Sequence, residues 1–365
     1  NTLRTPFHAS IIAHEKMSFY AYVSLFEVFV RLGMVFLLMI IPGDHLIMYA
    51  LLYLLVIVLV NAIYMIYCRN KFQECKYEFK RDKAIFKDLI SFSGWTLLGQ
   101  ASVVVKNQGE VIFINRFFSV TANAAMGVAA QVANALEMFV SNFQTAFNPQ
   151  LIQSHAAKDY EAHKSLLFRA SKFSYFLLLI MLVPIVSNID FILNLWLEEV
   201  PEYTNYFVAF ILISYLFNAL STPFFTSLNA TGKIKHYQIT LSAIFISGLG
   251  LIYFVLKGGA EPYFVSVVAI LIQFVLLVAR LFFAHKYVDF SYIQFFRKVV
   301  LKVSVVTLVA IIPSFVLYGI ANGFWVNILN IVAEVLSTGF IIFLLGLNRT
   351  ERLFILNIVK KRISK

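Results

Sequence analysis

The chain has 365 residues, of which 60% are hydrophobic and 13% charged, and its net charge is +11. Soluble domains run nearer about 45–50% apolar and about 25% charged, so a water-soluble globular protein is excluded and a polytopic membrane protein is implied. The excess of Lys and Arg does not point to nucleic acid, because basic residues in membrane proteins mark cytoplasmic loops.

About 20 apolar residues cross a bilayer. Ten stretches qualify, near 19–41, 46–67, 89–118, 121–148, 167–189, 204–228, 237–256, 262–284, 299–320 and 325–346. Short connections join them, several marked by Pro or Gly, as in "IPGDH" at 41–45 and "KGGAEP" at 257–262. If the segment before the first span defines one side, the connections on that side hold 26 of the 30 basic residues, with Arg280 among them. The opposite loops are acidic, with Asp44, Asp190, Glu198, Glu199, Glu202 and Glu261. The basic side is therefore expected to be the cytoplasm, with both chain ends facing it. The tail "NIVKKRISK" suits anionic headgroups or fixes topology. Two glycosylation sequons, at Asn229 and Asn348, fall on that same side and read as chance matches. Cys68 and Cys75 are too few for a disulfide framework and read as free thiols.

Ionisable groups inside a span cost about 2.5–3.5 kcal/mol and usually face a cavity or a partner. In the first span Glu27 and Arg31 are four residues apart, one above the other on a helix face. Lys106 and Glu110 repeat that spacing in the third span, where Asn107 and Gln100 lie on the same side. The fourth span carries a polar stripe. With Gln131 as reference, Asn134, Ser141, Asn142, Thr145 and Asn148 fall within an arc of about 120°. Glu137 and Gln144 lie just past its edge. A water-accessible cavity accounts for this pattern, and hydrogen-bonded glue between helices is the competing account. The Glu27–Arg31 pair suits a structural clasp equally well. Arg116 lies near the outer end of its helix, where it can snorkel to the headgroups, and Glu334 in the last span has no assigned role.

There is no phosphate-binding GxxxxGK[ST] loop, no HExxH and no Cys/His cluster with zinc spacing. The seven His read as lying in or beside loops, so no metal or other cofactor is expected.

Four stretches carry a resemblance. They are "TPFHASIIAHEKMSFYAYVSLFEVFVRL" at 5–32, "FNPQLIQSHAAKDYEAHKSLLFRASKFSYF" at 147–176, "ILNLWLEEVPEYTNYF" at 192–207 and "LNATGKIKHYQI" at 228–239. Together they resemble the polysaccharide-biosynthesis flippases of the MOP superfamily, which also contains the MATE multidrug exporters. The fold implied is an all-α bundle of about twelve to fourteen helices, in two lobes related by a pseudo-two-fold axis. The ten spans here would match the last ten of fourteen, and a chain starting at Asn1 is expected to lack the first four. The expected organisation is residues 1–68 as the end of an N-terminal lobe and 69–88 as a basic cytoplasmic loop. Residues 89–285 would form a six-helix C-terminal lobe, 286–346 an additional helix pair and 347–365 a basic tail.

The activity implied is not enzymatic. It is transfer of a polyprenyl-pyrophosphate-linked oligosaccharide from the cytoplasmic to the periplasmic leaflet of a bacterial inner membrane. The partners implied are that lipid-linked substrate, the bilayer, a polysaccharide polymerase and glycosyltransferases. Substrate-cavity candidates are Arg31, Lys106, Asn107, Gln131, Asn134, Asn142 and Thr145, the cations for pyrophosphate and the amides and hydroxyls for sugar. Glu27, Glu110 and Glu137 are the candidates for charge pairing or ion coupling. A MATE-type exporter of organic cations is the alternative, and a membrane enzyme a third reading. A lone lobe with two extra helices would not alternate access, so this chain by itself is expected to be inactive.

Overall fold

A computed structural model describes residues 4–14, 16–40, 44–76, 82–288, 290–317, 323–353 and 357. The chain divides into two compact units, Asn1–Ala84 and Ile85–Lys365. The division falls inside the basic stretch 69–88, of which residues 77–81 are outside the described part, as is most of the tail.

In the first unit, α1 (Thr5–Ala13), α2 (Met17–Ile40) and α3 (His45–Lys71) pack on one another. Asp44 caps α3 by accepting from the backbone N–H of Leu46 at 2.9 Å and of Ile47 at 3.4 Å. Buried Val56, Val60, Tyr64 and Cys68 follow a four-residue period along α3 and face α1 and α2. Cys68 and Cys75 are free thiols.

The second unit contains α4 (Lys83–Phe117), α5 (Val120–Ala156), α6 (Tyr160–Ser187), the short α7 (Ile189–Trp196) and α8 (Thr204–Ala230). It continues with α9 (Lys235–Lys257), α10 (Phe264–Val288), α11 (Tyr292–Phe295), α12 (Leu301–Leu317) and α13 (Phe324–Ile341). A π-helical turn at Phe296–Val300 joins α11 to α12. Helix α8 is the hub, packing on α5, α6 and α10, while α13 and α12 pack on α6. Hydrocarbon is as apolar as leucine, so close packing rather than water exclusion holds such helices together. Ala125, Ala129 and Ala133 accordingly give α5 a fully buried small-residue face. Large side chains such as Phe139, Phe254 and Phe315 point outward.

Among the described residues ten long helical segments stand where the ten spans were predicted, and nine of them are long and apolar enough to cross a membrane. The exception is α4, which the polar run from Lys106 to Glu110 keeps below that hydropathy. It is uninterrupted over 35 residues, about 52 Å at 1.5 Å per residue. Its glycines do not break it. At Gly99 a β-carbon would come within 2.9 Å of Gln238 Cδ, and at Gly109 within 2.6 Å of Leu249 Cδ1, so both let α9 approach.

Two further corrections concern polar residues. Arg280, expected in a cytoplasmic connection, is buried inside α10. His163, expected beside a loop, is buried in α6, with Nε2 2.6 Å from Ser227 Oγ and Nδ1 3.0 Å from both Ser154 Oγ and the Leu151 carbonyl. Among the described residues no group of three His, Cys, Asp or Glu is placed to hold a metal ion. Glu334, unassigned from sequence, accepts from Asn188 Nδ2 at 2.9 Å and so ties α13 to the end of α6.

Candidate functional site: a charged cavity in the second unit

Two adjoining cavities of about 540 Å³ and 260 Å³ lie among α4, α5, α8 and α10, with Leu241 and Phe245 of α9 and Leu178 of α6 completing their walls. They share Glu137, Tyr215, Asn218 and Phe225.

Helix α4 supplies Gln100, Lys106, Asn107, Gln108 and Glu110. The four-residue spacing brings Lys106 Nζ to 3.0 Å from Glu110 Oε1, and Nζ also donates to Asn107 Oδ1 at 3.4 Å. The pair is largely enclosed, with side-chain exposures of 15% and 11%. Ions so far out of water are costly unless paired, so each keeps the other charged.

Helix α5 supplies Asn134 and Glu137 to the larger cavity, and Ser141, Gln144, Thr145 and Asn148 to the smaller. Gln131 and Asn142 of the predicted stripe line neither and are exposed. The cavity-facing arc is therefore rotated past the stripe's edge, onto Glu137 and Gln144. Gln144 also has a structural task. Pro223 has no N–H, so the Ala219 carbonyl four residues back in α8 lacks its helical donor. Gln144 Nε2 donates to that carbonyl at 3.3 Å and to Ser174 Oγ at 3.0 Å. Neighbouring helices re-satisfy proline-freed backbone in this way within membranes.

Sequence reasoning missed the α8 and α10 walls. Arg280 is 8% exposed. Its Nε donates to Tyr237 Oη at 3.0 Å, and its Nη1 to Ser221 Oγ at 2.5 Å and Asn218 Oδ1 at 3.3 Å. Its guanidinium carbon lies 5.6 Å from the centre of the Phe225 ring. All these partners are neutral, and among the described residues no carboxylate pairs with it. Asn218 passes the network on, donating from Nδ2 to Glu137 Oε1 at 3.2 Å. Gln273, two turns before Arg280 on the same helix face, also lines the cavity, and its Oε1 is buried without a hydrogen-bond partner among the described residues. The signal existed in the sequence. Tyr215, Asn218 and Thr222 recur at i, i+3 and i+7 inside a span, as Gln273 and Arg280 do at i and i+7.

Glu27 and Arg31 line neither cavity and belong to the first unit. Glu27 Oε1 accepts from Arg31 Nη2 at 2.6 Å and Oε2 from Arg4 Nη1 at 3.0 Å. Arg4 Nη2 also donates to the buried Tyr64 Oη at 3.1 Å. One carboxylate thus ties the start of α1 to α2, and Arg4 carries the tie on to α3.

A cavity with two cations, two carboxylates and several amides, walled by long apolar helices, defines a polytopic membrane protein with a polar interior cavity. A polysaccharide biosynthesis protein family model matches residues 9–155, and a MatE family model matches residues 96–256. A solved structure described as lipid II flippase MurJ, in an inward closed conformation, shares the fold with a TM-score of 0.53 and 16% identity. The match covers 82% of this chain and 62% of that one. No curated protein matches the chain. The chain is thus similar to polysaccharide biosynthesis proteins over its first part and to MatE proteins over its middle, and the two matches overlap at residues 96–155.

Proposed function

We propose that this chain takes part in moving a polyprenyl-diphosphate-linked oligosaccharide across a bacterial inner membrane, from the cytoplasmic to the periplasmic leaflet. On this reading the protein is a transporter and not an enzyme, and both chain ends face the cytoplasm. One observation carries it: Lys106 and Arg280 line a single cavity together with Glu110, Glu137 and a set of amides. A diphosphate takes charge-assisted hydrogen bonds from the two cations. Sugar hydroxyls match Gln100, Asn107, Asn134, Asn218 and Gln273, whose amides both donate and accept. Glu110 holds Lys106 in place, Glu137 reaches Arg280 only through Asn218, and both carboxylates offer a site for a coupling proton or sodium ion. An apolar cavity of about 480 Å³ between α6, α8, α10 and α12, walled by Leu179, Leu216, Phe274 and Val303, suits part of a polyprenyl chain.

The MatE match and the two cavity carboxylates favour the second reading, export of an organic cation. The two cations in the same cavity count against it, because a cationic substrate would meet repulsion there. Reconstitution of the whole natural protein in liposomes, with a fluorescent polyprenyl-diphosphate oligosaccharide, separates the two. The flippase reading expects leaflet exchange that is lost in a Lys106→Gln, Arg280→Gln variant. Exchange that persists in that variant, or an unmodified protein that moves ethidium but not the glycolipid, overturns it. Products of polymerase and glycosyltransferase partners would lie before and after this step.

A further inference from the structure

Away from that cavity, a pocket of about 710 Å³ opens between the first turns of α6, the start of α12 and residues 348–351 beyond α13. Five cations line it, Lys164, Arg169, Lys172, Lys298 and Lys302, against two carboxylates. Both carboxylates are already engaged. Glu161 pairs with Lys164 at 2.7 Å. Glu351 holds the buried Lys172 at 2.6 and 2.8 Å and accepts from the Asn348 N–H at 2.8 Å. Lys302 donates to the neutral Asn348 side chain. Among the described residues, Arg169, Lys298 and Lys302 have no carboxylate within ion-pair distance.

We propose that this pocket is a phosphate-ester site at the membrane surface, occupied by the headgroup of an anionic phospholipid. The Lys172–Glu351 bridge sets its floor, and the three unpaired cations supply donors to phosphate oxygens. Without an anion these like charges repel across a shared space. The site sits where α6 and α12 begin, at the ends of spans Tyr160–Ser187 and Tyr292–Val316. That depth suits lipid phosphates, and basic pockets between transmembrane helices recognise anionic headgroups. The proposal is independent of the transported substrate.

The test measures binding of short-chain fluorescent phosphatidylglycerol to the purified full chain in phosphatidylcholine nanodiscs. The expected result is saturable binding, weakened at least about tenfold in Arg169→Gln, Lys298→Gln, Lys302→Gln and unchanged in a Lys233→Gln, Lys286→Gln control. Lys298→Arg, Lys302→Arg should retain it, and the exposed single change Lys298→Gln should weaken it, which keeps the test decisive if the triple variant misfolds. Undiminished binding in the neutralised variants overturns the site. Binding of inorganic pyrophosphate with the same cation dependence, but no preference for phosphatidylglycerol over phosphatidylcholine, overturns the lipid as its occupant.

Discussion

Two helices carry the same sequence device, a Glu and a basic residue four positions apart inside an apolar span, and fold it to different ends. In α2 the Glu27–Arg31 pair gains a third member, Arg4, so that the carboxylate is shared and the cluster closes on itself around Tyr64. In α4 the Lys106–Glu110 pair faces a cavity that also holds Glu137 and Arg280. Spacing fixes the pairing within each helix, but the neighbouring helices decide whether the pair is saturated. A saturated cluster holds helices together, and an unsaturated one keeps bonding capacity for a ligand.

The largest effects should separate the two pairs by readout. Lys106→Gln or Arg280→Gln should cut glycolipid exchange by about 10- to 100-fold, the worth of one charge-assisted hydrogen bond. The unfolding midpoint in bilayers should move much less in the double change Lys106→Gln, Glu110→Gln, which leaves no enclosed ion unpaired. Equal loss of stability and exchange would make that pair a clasp like its counterpart. Glu27→Gln should do the reverse. It removes charge from two bonds at once and should cost about 1.5–3 kcal/mol, read by reversible unfolding in detergent, with exchange per folded molecule unchanged. Loss of exchange without loss of stability would move Glu27 to the substrate path. Gln144→Leu comes next, at about 0.6–1.7 kcal/mol, the range for a hydrogen bond between helices in a bilayer. It should lower stability although Gln144 borders the smaller cavity, because its partner is the carbonyl freed by Pro223.

The helical class, the positions of the long helices and the Lys106–Glu110 contact were readable because hydropathy and four-residue spacing are local properties. The helix ends were less so. Helix α5 runs through Pro149 to Ala156, and α6 starts at Tyr160, seven residues before the expected position. Polar residues in the first extension, Gln150, Gln153, Ser154 and His155, and Glu161 and Lys164 in the second lower hydropathy without ending the helix. Arg280 was misplaced for a tertiary reason. Near the end of a span it reads as a loop cation, and only Tyr237, Asn218 and Ser221 from two other helices show that it is enclosed. The stripe lies on a helix that does line the cavities, but the lining face is shifted, because Glu137 and Gln144 sit at its margin and their contacts depend on Asn218 and Ala219 of α8.

The smallest expected effect tests the comparison most directly. Arg31 is 44% exposed on its side chain, and its guanidinium carbon lies 5.3 Å from the centre of the Tyr53 ring. Glu27 keeps Arg4 when Arg31 is removed, so Arg31→Gln leaves no carboxylate unpaired. An exposed pair of this spacing is worth about 0.2–0.5 kcal/mol, and the stability loss should stay in that range. Arg4→Gln should cost more than Arg31→Gln, because it takes the better-enclosed bond and the contact with Tyr64 together. The double change should exceed the sum of the two, since only then is Glu27 stranded without a cation. Strict additivity would mean that the two arginines do not share the carboxylate, and the clasp would reduce to two separate surface contacts.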